Sequence, residues 1–134
     1  MSRARAIRYC RHQHKEPAVI ISISSTDTDY KSAPYTSDKN NVQAVLSLWF
    51  DDITKPTRDK VLMSSTDALA VKLFVEKYAE MRIIVHCDMG VSRSAGVAAA
   101  LLNVKGINCK YIFNSIFYHP NMHCYRTTLE GLLC

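Results

Sequence analysis

The stretch that decides the fold lies at residues 83–102 and reads IIVHCDMGVSRSAGVAAALL. Its first three residues are β-branched and predict a short buried strand, whereas the small apolar residues at its end predict a helix. A nine-residue segment, 86–94, joins the two. Inward-turned backbone N–H groups and the partial positive charge of a helix N-terminus favour a bound oxyanion in such a segment. We therefore expect a phosphate-sized anion site here.

Cys87 and Arg93 are the reactive side chains of this segment. The pKa of a thiol, ordinarily ~8.5, can fall to roughly 3.5–7.5 at a helix N-terminus, so Cys87 is expected to be a nucleophilic thiolate. Arg93, expected at the rim, offers a planar fork of donors for two phosphate oxygens. A chance pairing of a cysteine with an arginine is the alternative. The His, Gly and two Ser at fixed positions between them and around them argue against chance.

Four further residues of the stretch have expected supporting roles. Gly90 permits backbone angles that are closed to other residues, and Gly96 permits close packing of the helix. Ser94 is expected to donate a hydrogen bond to Cys87, which makes the thiolate a better leaving group. His86 is expected to lie behind the thiolate and support it.

The pattern His-Cys-x-x-Gly-x-Ser-Arg-Ser resembles the active-site signature of the cysteine-dependent protein tyrosine phosphatases. In this spelling it is most similar to the compact dual-specificity branch, and the resemblance extends from the strand at Val19 to the helix of Tyr125. It implies that Cys87 is the nucleophile, that Arg93 clamps the phosphate and that Ser94 assists hydrolysis of a phosphocysteine.

The resemblance also implies a substrate-binding loop, whose members are Asp88, Met89, Gly90, Val91, Ser92 and Arg93. Met89 departs from the small residue, such as alanine, that many relatives carry. A larger side chain there is expected to narrow the pocket rim or make it more apolar. It leaves the fine substrate preference open.

A phosphatase of this kind needs a carboxylic acid to protonate the leaving group. In dual-specificity relatives the acid lies on the loop after the strand that corresponds to 45–50. The number of residues between that acid and the cysteine is similar to the separation of Asp52 and Cys87 in this sequence. Asp52 lies 35 residues before Cys87, and alignment of the strand ends favours it. Asp51 is the runner-up. The alternative is that both are solvated turn residues.

Length and composition are those of one globular catalytic domain, residues 1–134. The chain is 48% hydrophobic and 22% charged, with a formal net charge of +5 that favours an anionic substrate. Its basic residues are scattered except at the start, where four arginines are expected to form a solvated, partly frayed end or a strand edge. A role for these four in recruiting a phosphorylated partner is the less favoured alternative. The four are Arg3, Arg5, Arg8 and Arg11.

Cysteine usage favours a reducing, cytoplasmic setting. The chain has five cysteines, an odd number, without a Cys-x-x-Cys pair, and no secretory leader is recognisable at its start. No apolar run is long enough to span a membrane. His119, His123 and Cys124 lack a second ligand pair at useful spacing, so neither a metal nor a cofactor is expected.

Strand and helix patterns alternate along the chain and predict an α/β fold, with a mostly parallel central sheet flanked by helices on both sides, dual-specificity phosphatase-like. The carboxyl ends of such strands share one edge, so Asp52 and Cys87 can both reach it.

Strands are expected at Ala18–Ile23, Ala44–Leu48 and Ile83–Val85, with a short edge strand at Ala4–Tyr9. Helices are expected from Ser64, after Arg93, at Cys109–Tyr118 and at Met122–Leu133, with a core stripe of Tyr125, Leu129 and Leu132. Ser24–Asn41 is expected to be mostly loop, with Tyr30 and Tyr35 at the pocket wall or on the surface.

The expected function is hydrolysis of phosphotyrosine in a phosphorylated protein or peptide, extended to phosphoserine and phosphothreonine if the pocket is shallow. A binding module without turnover is the first alternative, and a phosphatase for lipid or RNA 5′-phosphate is another. The loop has no lysine, unlike phosphoinositide phosphatases, and does not end in Asn-Arg-Thr as RNA phosphatase relatives do. Sulfurtransferase loops lack the Ser-Arg-Ser ending, and arsenate-reducing relatives place the cysteine near the N-terminus. Neither nucleic acid nor membrane is expected as a partner.

Overall fold

A computed structural model describes residues 1–27, 35–37 and 39–134. These residues form three strands and five helices. In chain order they are α1 (Arg3–Cys10), β1 (Ala18–Ser24), β2 (Val42–Trp49), α2 (Ser65–Lys77), β3 (Arg82–His86), α3 (Arg93–Val104), α4 (Lys110–Phe113) and α5 (Met122–Leu133). Tyr30, an expected pocket-wall residue, lies outside the described residues.

The sheet is parallel, as expected, with strand order β2-β1-β3. Because all three strands run the same way, their carboxyl ends meet at one edge, which carries the loops that follow Ser24, Trp49 and His86. The central strand β1 is buried along its whole length. This burial explains its nearly continuous apolar sequence.

Helices cover both faces of the sheet. On one face, Ile21 and Ile23 pack in a core with Val71 of α2, Val97 of α3 and Cys124 of α5. On the other face, Ile20 packs in a smaller cluster with members from outside the sheet. Those members are Ala6 of α1 and Tyr35, which is buried and so does not lie on the surface. The α/β architecture with helices on both sides is therefore confirmed.

The prediction of an edge strand at Ala4–Tyr9 is wrong, because these residues belong to α1. Alanine and arginine both have high helix propensity. Ser2 caps the helix, its side chain accepting a hydrogen bond of 3.2 Å from the backbone N–H of Arg5. Arg3 is not part of a frayed end either, since its guanidinium is bonded within the protein.

Two predictions for the C-terminal third also need correction. The helix expected at Cys109–Tyr118 is only the single turn α4. The hydroxyl of Ser115 accepts hydrogen bonds from the backbone N–H groups of Phe117 and Tyr118, and such local bonds compete with a helix. In α5 the fully buried residues are Cys124 and Thr128, whereas the predicted stripe is half-buried, with Leu132 packed against the main core and Tyr125 against a smaller cluster. Small side chains face inward there because α3 approaches closely.

That close approach depends on Gly96. A Cβ atom at this position would lie 2.6 Å from the carbonyl oxygen of Asn121 and 3.2 Å from Cβ of Cys124. Any larger residue would push α5 away from α3. The absence of a side chain at Gly96 therefore allows α3 and α5 to pack closely.

Candidate active site

The loop 87–92, which we call the anion loop after the expectation from the sequence, connects β3 to the N-terminus of α3 at the carboxyl edge of the sheet. It turns at Gly90, whose φ of +73° lies in the left-handed region that glycine adopts readily. The start of the chain packs against this turn, since a Cβ at Gly90 would lie 2.4 Å from the backbone nitrogen of Ser2. Gly90 is therefore required both for the turn and for the contact.

Cys87 lies at the floor of the loop, almost fully buried. Its Sγ is 3.2 Å from Oγ of Ser94 and accepts a hydrogen bond of 3.3 Å from the backbone N–H of Gly90. Burial opposes ionisation of the thiol, but the hydrogen bonds from Ser94 and Gly90 and the charge of Arg93 outweigh it. Together they hold the pKa of Cys87 below its ordinary value.

The backbone of the loop keeps its N–H groups available. The carbonyl oxygens of Val91 and Ser92 accept bonds of 2.9 Å each from the backbone N–H groups of His119 and Asn121. The N–H groups of Asp88, Met89, Val91 and Ser92 donate to no residue that the structure describes. At a helix N-terminus, N–H groups in this state bind an oxyanion.

Arg93 is the first residue of α3 and is buried, deeper than the rim position that the sequence suggested. Its Nη1 donates to Oγ of Ser25 and to the carbonyl oxygen of Phe50, both at 2.9 Å. Its Nη2 donates to Oδ2 of Asp88 at 3.0 Å. Nε–H and one N–H of Nη2 donate to no described residue. The guanidinium is thus oriented by three bonds and keeps two donors for a ligand.

Asp88 is an acceptor for two arginines. Arg3, from α1, donates to its Oδ1 through Nη2 at 2.9 Å and Nε at 3.3 Å, while Arg93 and the hydroxyl of Ser25 bind its Oδ2. Burial acts to raise the pKa of Asp88, but these donors outweigh burial and lower it. The negative charge of Asp88 is therefore balanced by two arginines, and its carboxylate binds groups of the protein rather than a ligand.

His86 lies behind the loop, completely buried, with its Nδ1 3.2 Å from the carbonyl oxygen of Cys87. Burial lowers the pKa of His86 to about 4, and the nearby charge of Arg3 adds to the effect. The ring is therefore neutral at pH 7, and Nδ1 donates to that oxygen. Its Nε2 has no hydrogen-bond partner among the described residues.

The two candidate acids after β2 occupy different environments. Asp51 is buried and accepts three bonds, from the N–H and hydroxyl of Thr26 and from the N–H of Val61. Although burial acts to raise its pKa, these bonds lower it, so Asp51 is an ionised structural acceptor. Asp52 is exposed and reaches the loop, where its Oδ1 accepts a 2.8 Å bond from Oγ of Ser92. Only Asp52 contacts the anion loop.

Asn121 was missed in the sequence and connects Asp52 to the rest of the site. Its Nδ2 donates to Oδ1 of Asp52 at 2.9 Å and to the carbonyl oxygen of Ile53 at 3.0 Å. Its Oδ1 caps α5 by accepting from the backbone N–H of Cys124. An asparagine that follows a proline and precedes a helix is a recognisable N-cap signal. Its contact with Asp52, 69 positions away, has no signal in the sequence.

Arg3 and Ser25 were also missed. Arg3 bonds Asp88, Ser24 and Tyr35, and Ser25 bonds Asp88 and Arg93. Each is remote from the loop in sequence, so only the folded chain brings it there. Within the loop, Met89 projects into solvent with 77% of its surface exposed.

No group of three or more histidine, cysteine or acidic residues suited to a metal ion occurs within the described ranges. Over the same residues, no helix combines the length and the apolar character needed to cross a bilayer.

Solved structures with the same fold were found for this chain. Tk-PTP, crystallised in its active form, superimposes with a TM-score of 0.56 at 15% identity, over 99% of this chain and 88% of that one. The human tyrosine phosphatase-like serine/threonine/tyrosine-interacting protein superimposes with a TM-score of 0.53 at 18% identity, over 86% of this chain and 76% of that one. The chain therefore has a dual-specificity phosphatase-like fold. No protein-family model and no curated protein matches the sequence.

Proposed function

We propose that this chain, with the fold of the cysteine-dependent phosphatases, hydrolyses phosphotyrosine in proteins through a phosphocysteine intermediate. The observation that carries the proposal is the environment of Cys87. Its sulfur accepts a hydrogen bond from Gly90 and lies beside Ser94 and the start of α3, and its pKa is lowered. A thiolate in an oxyanion site is the nucleophile that such a reaction needs.

In the first step the Cys87 thiolate attacks phosphorus, an S–P bond forms and the P–O bond to the tyrosine oxygen breaks. Asp52 gives its proton to the departing oxygen. Arg93 binds two phosphoryl oxygens through Nε–H and Nη2–H, and the N–H groups of the loop bind the others. The products are a phosphocysteine and free tyrosine hydroxyl.

In the second step water attacks phosphorus and Asp52, now a carboxylate, takes the proton of the water. The S–P bond breaks, and the electron pair returns to the sulfur of Cys87. The hydroxyl of Ser94, 3.2 Å from Sγ, stabilises the departing thiolate. Inorganic phosphate leaves, and Asp52 is protonated for the next cycle.

Binding of phosphorylated residues without hydrolysis is the second candidate. The human protein of similar structure is described as phosphatase-like and as an interacting protein. The fold alone therefore does not distinguish hydrolysis of a phosphorylated residue from binding of it. A reacting thiol, an arginine with two available donors and an acid that contacts the loop favour hydrolysis.

The reaction requires a reduced thiol, and all five cysteines of the chain are free, so we place the protein in a reducing compartment such as the cytoplasm.

The test measures phosphate release from a phosphotyrosine peptide by the unchanged chain, Cys87→Ser and Asp52→Asn. We expect Cys87→Ser to abolish release while retaining peptide binding, and the exposed control Cys134→Ser to leave release unchanged. Phosphoserine, phosphothreonine, phosphoinositide and RNA 5′-phosphate substrates in the same assay rank the alternatives. If the unchanged chain binds the peptide tightly and releases no phosphate, the binding module replaces the enzyme.

A further inference from the structure

A second feature adjoins the anion loop on the side away from Asp52. It is a groove of about 400 Å³, which we call the Arg5 groove. One wall is formed by Met89, Gly90 and Val91 of the loop, another by Arg5 and the start of the chain, and the third by Phe117 and Tyr118. Because the loop itself forms a wall, a ligand in the groove contacts the loop that is proposed to bind the phosphate.

Two large apolar side chains of this groove are left in solvent. Met89 is 77% exposed and Phe117 is 75% exposed. Both are held near the loop, since the segment before His119 is tied to the carbonyl oxygen of Val91 by the backbone N–H of His119. A phenylalanine and a methionine that share one groove offer an apolar surface to a ligand.

Arg5 supplies a positive charge at the same place. Its side chain is exposed on the first turn of α1 and forms no ion pair with any residue of the described ranges. The nearest loop carboxylate, Asp88, is already compensated by Arg3 and Arg93. The charge of Arg5 is therefore available to a negatively charged ligand.

The geometry points to the Arg5 groove as a specificity site for the polypeptide next to the phosphotyrosine. An apolar side chain of the substrate lies against Phe117 and Met89, and an acidic side chain beside it pairs with Arg5. This substrate class rests on the function proposed above, since the loop that forms one wall of the groove is the loop proposed to bind the phosphate. The occupant is a peptide rather than a lipid or nucleic acid, because one exposed arginine lies beside an apolar wall, instead of a row of exposed cations.

The groove on the other side of the loop does not offer this combination. It has a volume of about 440 Å³ and is lined by Asp52, Lys55 and Ser92 among others, while its apolar residues Ile53 and Pro120 are half-buried, so no large apolar side chain stands exposed in it. It contains the proposed general acid and belongs to the reaction itself. Discrimination between substrate sequences is therefore assigned to the Arg5 groove.

The experiment compares kcat/KM for three substrates: a phosphotyrosine peptide flanked by one leucine and one glutamate, the same peptide with lysine for glutamate, and p-nitrophenyl phosphate. The peptides are made with the pair on either side of the phosphotyrosine. We expect the unchanged chain to prefer the glutamate peptide roughly fivefold on one side only, the size of an exposed ion pair. Arg5→Glu should reverse that ratio.

Phe117→Ser should lower kcat/KM for both leucine peptides roughly tenfold relative to p-nitrophenyl phosphate, because the apolar contact is lost. The matched controls are Arg8→Glu, with the same charge change on the same helix, and Leu69→Ser, an exposed apolar residue on α2. Neither control should change the substrate ratios.

Failure of the groove and failure of the enzyme give different results. Equal rates for the glutamate and lysine peptides would contradict the role of the groove in specificity, and so would equal effects of Arg5→Glu and Arg8→Glu. If p-nitrophenyl phosphate is still hydrolysed in that case, the proposed enzymatic function is not affected. Absence of any turnover overturns the enzyme. The peptide preference is then measured as binding to Cys87→Ser by fluorescence anisotropy, with vesicles and single-stranded RNA as competitors. Displacement of the peptide by the vesicles or by the RNA overturns the assignment to a peptide.

Discussion

Arg3 and Asp88 form an ion pair of 2.9 Å between Nη2 and Oδ1, although 85 positions of the chain separate them. The same carboxylate also binds Arg93 at 3.0 Å. An uncompensated carboxylate at this place would repel a phosphate dianion and oppose ionisation of Cys87. The helix α1 therefore contributes to the electrostatics of the site, although none of its residues belongs to the loop.

Arg3→Gln should lower kcat/KM for a small phosphate ester about tenfold, because hydrogen bonds between charged groups contribute about 1.5 kcal/mol. Steady-state kinetics across the pH range give the size of the effect. In an Asp88→Asn background the charge that Arg3 compensates is gone, so the same change should lower kcat/KM less than about twofold. Equal effects in the two backgrounds would show that Arg3 acts independently of Asp88.

Asp51→Asn and Asp52→Asn should separate a structural carboxylate from a reacting one. Asp51→Asn removes the charge that accepts bonds from Thr26 and Val61, and should lower the free energy of unfolding by about 2 kcal/mol. Asp52→Asn should lower kcat about 100-fold and the free energy of unfolding by less than about 1 kcal/mol. Urea unfolding and kinetics on both variants provide the measurements. A variant Asp51→Asn that folds stably but does not turn over would assign the acid to Asp51.

Alkylation of Cys87 by iodoacetate should rise with a pH midpoint below the ~8.5 of a free thiol. Burial raises the pKa of Cys87, but the hydrogen bonds from Ser94 and Gly90 and the charge of Arg93 together outweigh burial and lower it. Ser94→Ala should therefore move the midpoint upward. Peptide mass mapping assigns the modified residue, and the buried Cys124, where burial raises the pKa to about 12, serves as an unreactive control. A midpoint at or above that of a free thiol contradicts the thiolate.

His86 should make the fold less stable in mild acid. Burial lowers its pKa to about 4 from 6.5, so between these values the unfolded chain binds more protons than the folded one, and stability falls as the pH falls. The stabilisation is complete above pH 6.5. About 3 kcal/mol is lost by pH 4, at about 1.36 kcal/mol for each pH unit. Below pH 4 His86 contributes no further change.

The measurement is urea unfolding at pH about 7 and about 4.5, on the unchanged chain and on His86→Gln. Glutamine does not titrate, so the variant should lose less stability over this interval. The difference between the two chains isolates His86, since both chains contain the same carboxylates. Parallel curves would mean that His86 is not buried as a neutral ring.

Local pattern was sufficient for the parts of the fold that are contiguous in sequence. The strands around Ile21 and Val85 and the helix after Arg93 are where the apolar runs predict them, and Ser64 caps α2 as its sequence indicates. Local pattern failed where contacts beyond the element itself determine whether a helix forms and where it ends. α1 is a helix because Ser2 caps it and Ala6 packs on the sheet, and α4 stops after one turn because Ser115 captures the N–H groups that follow.

The sequence by itself determined the anion loop and its order of thiol, glycine turn, arginine and hydroxyl, because these residues are neighbours whose geometry follows from one strand, one turn and one helix start. Only the tertiary structure decided which carboxylate meets the loop, and that Arg3, Ser25 and Asn121 hold the charged groups in place. Those contacts join residues tens of positions apart. Side chains so remote in sequence meet only when the sheet brings the ends of its three strands to one edge, and no local periodicity records which of them will face one another.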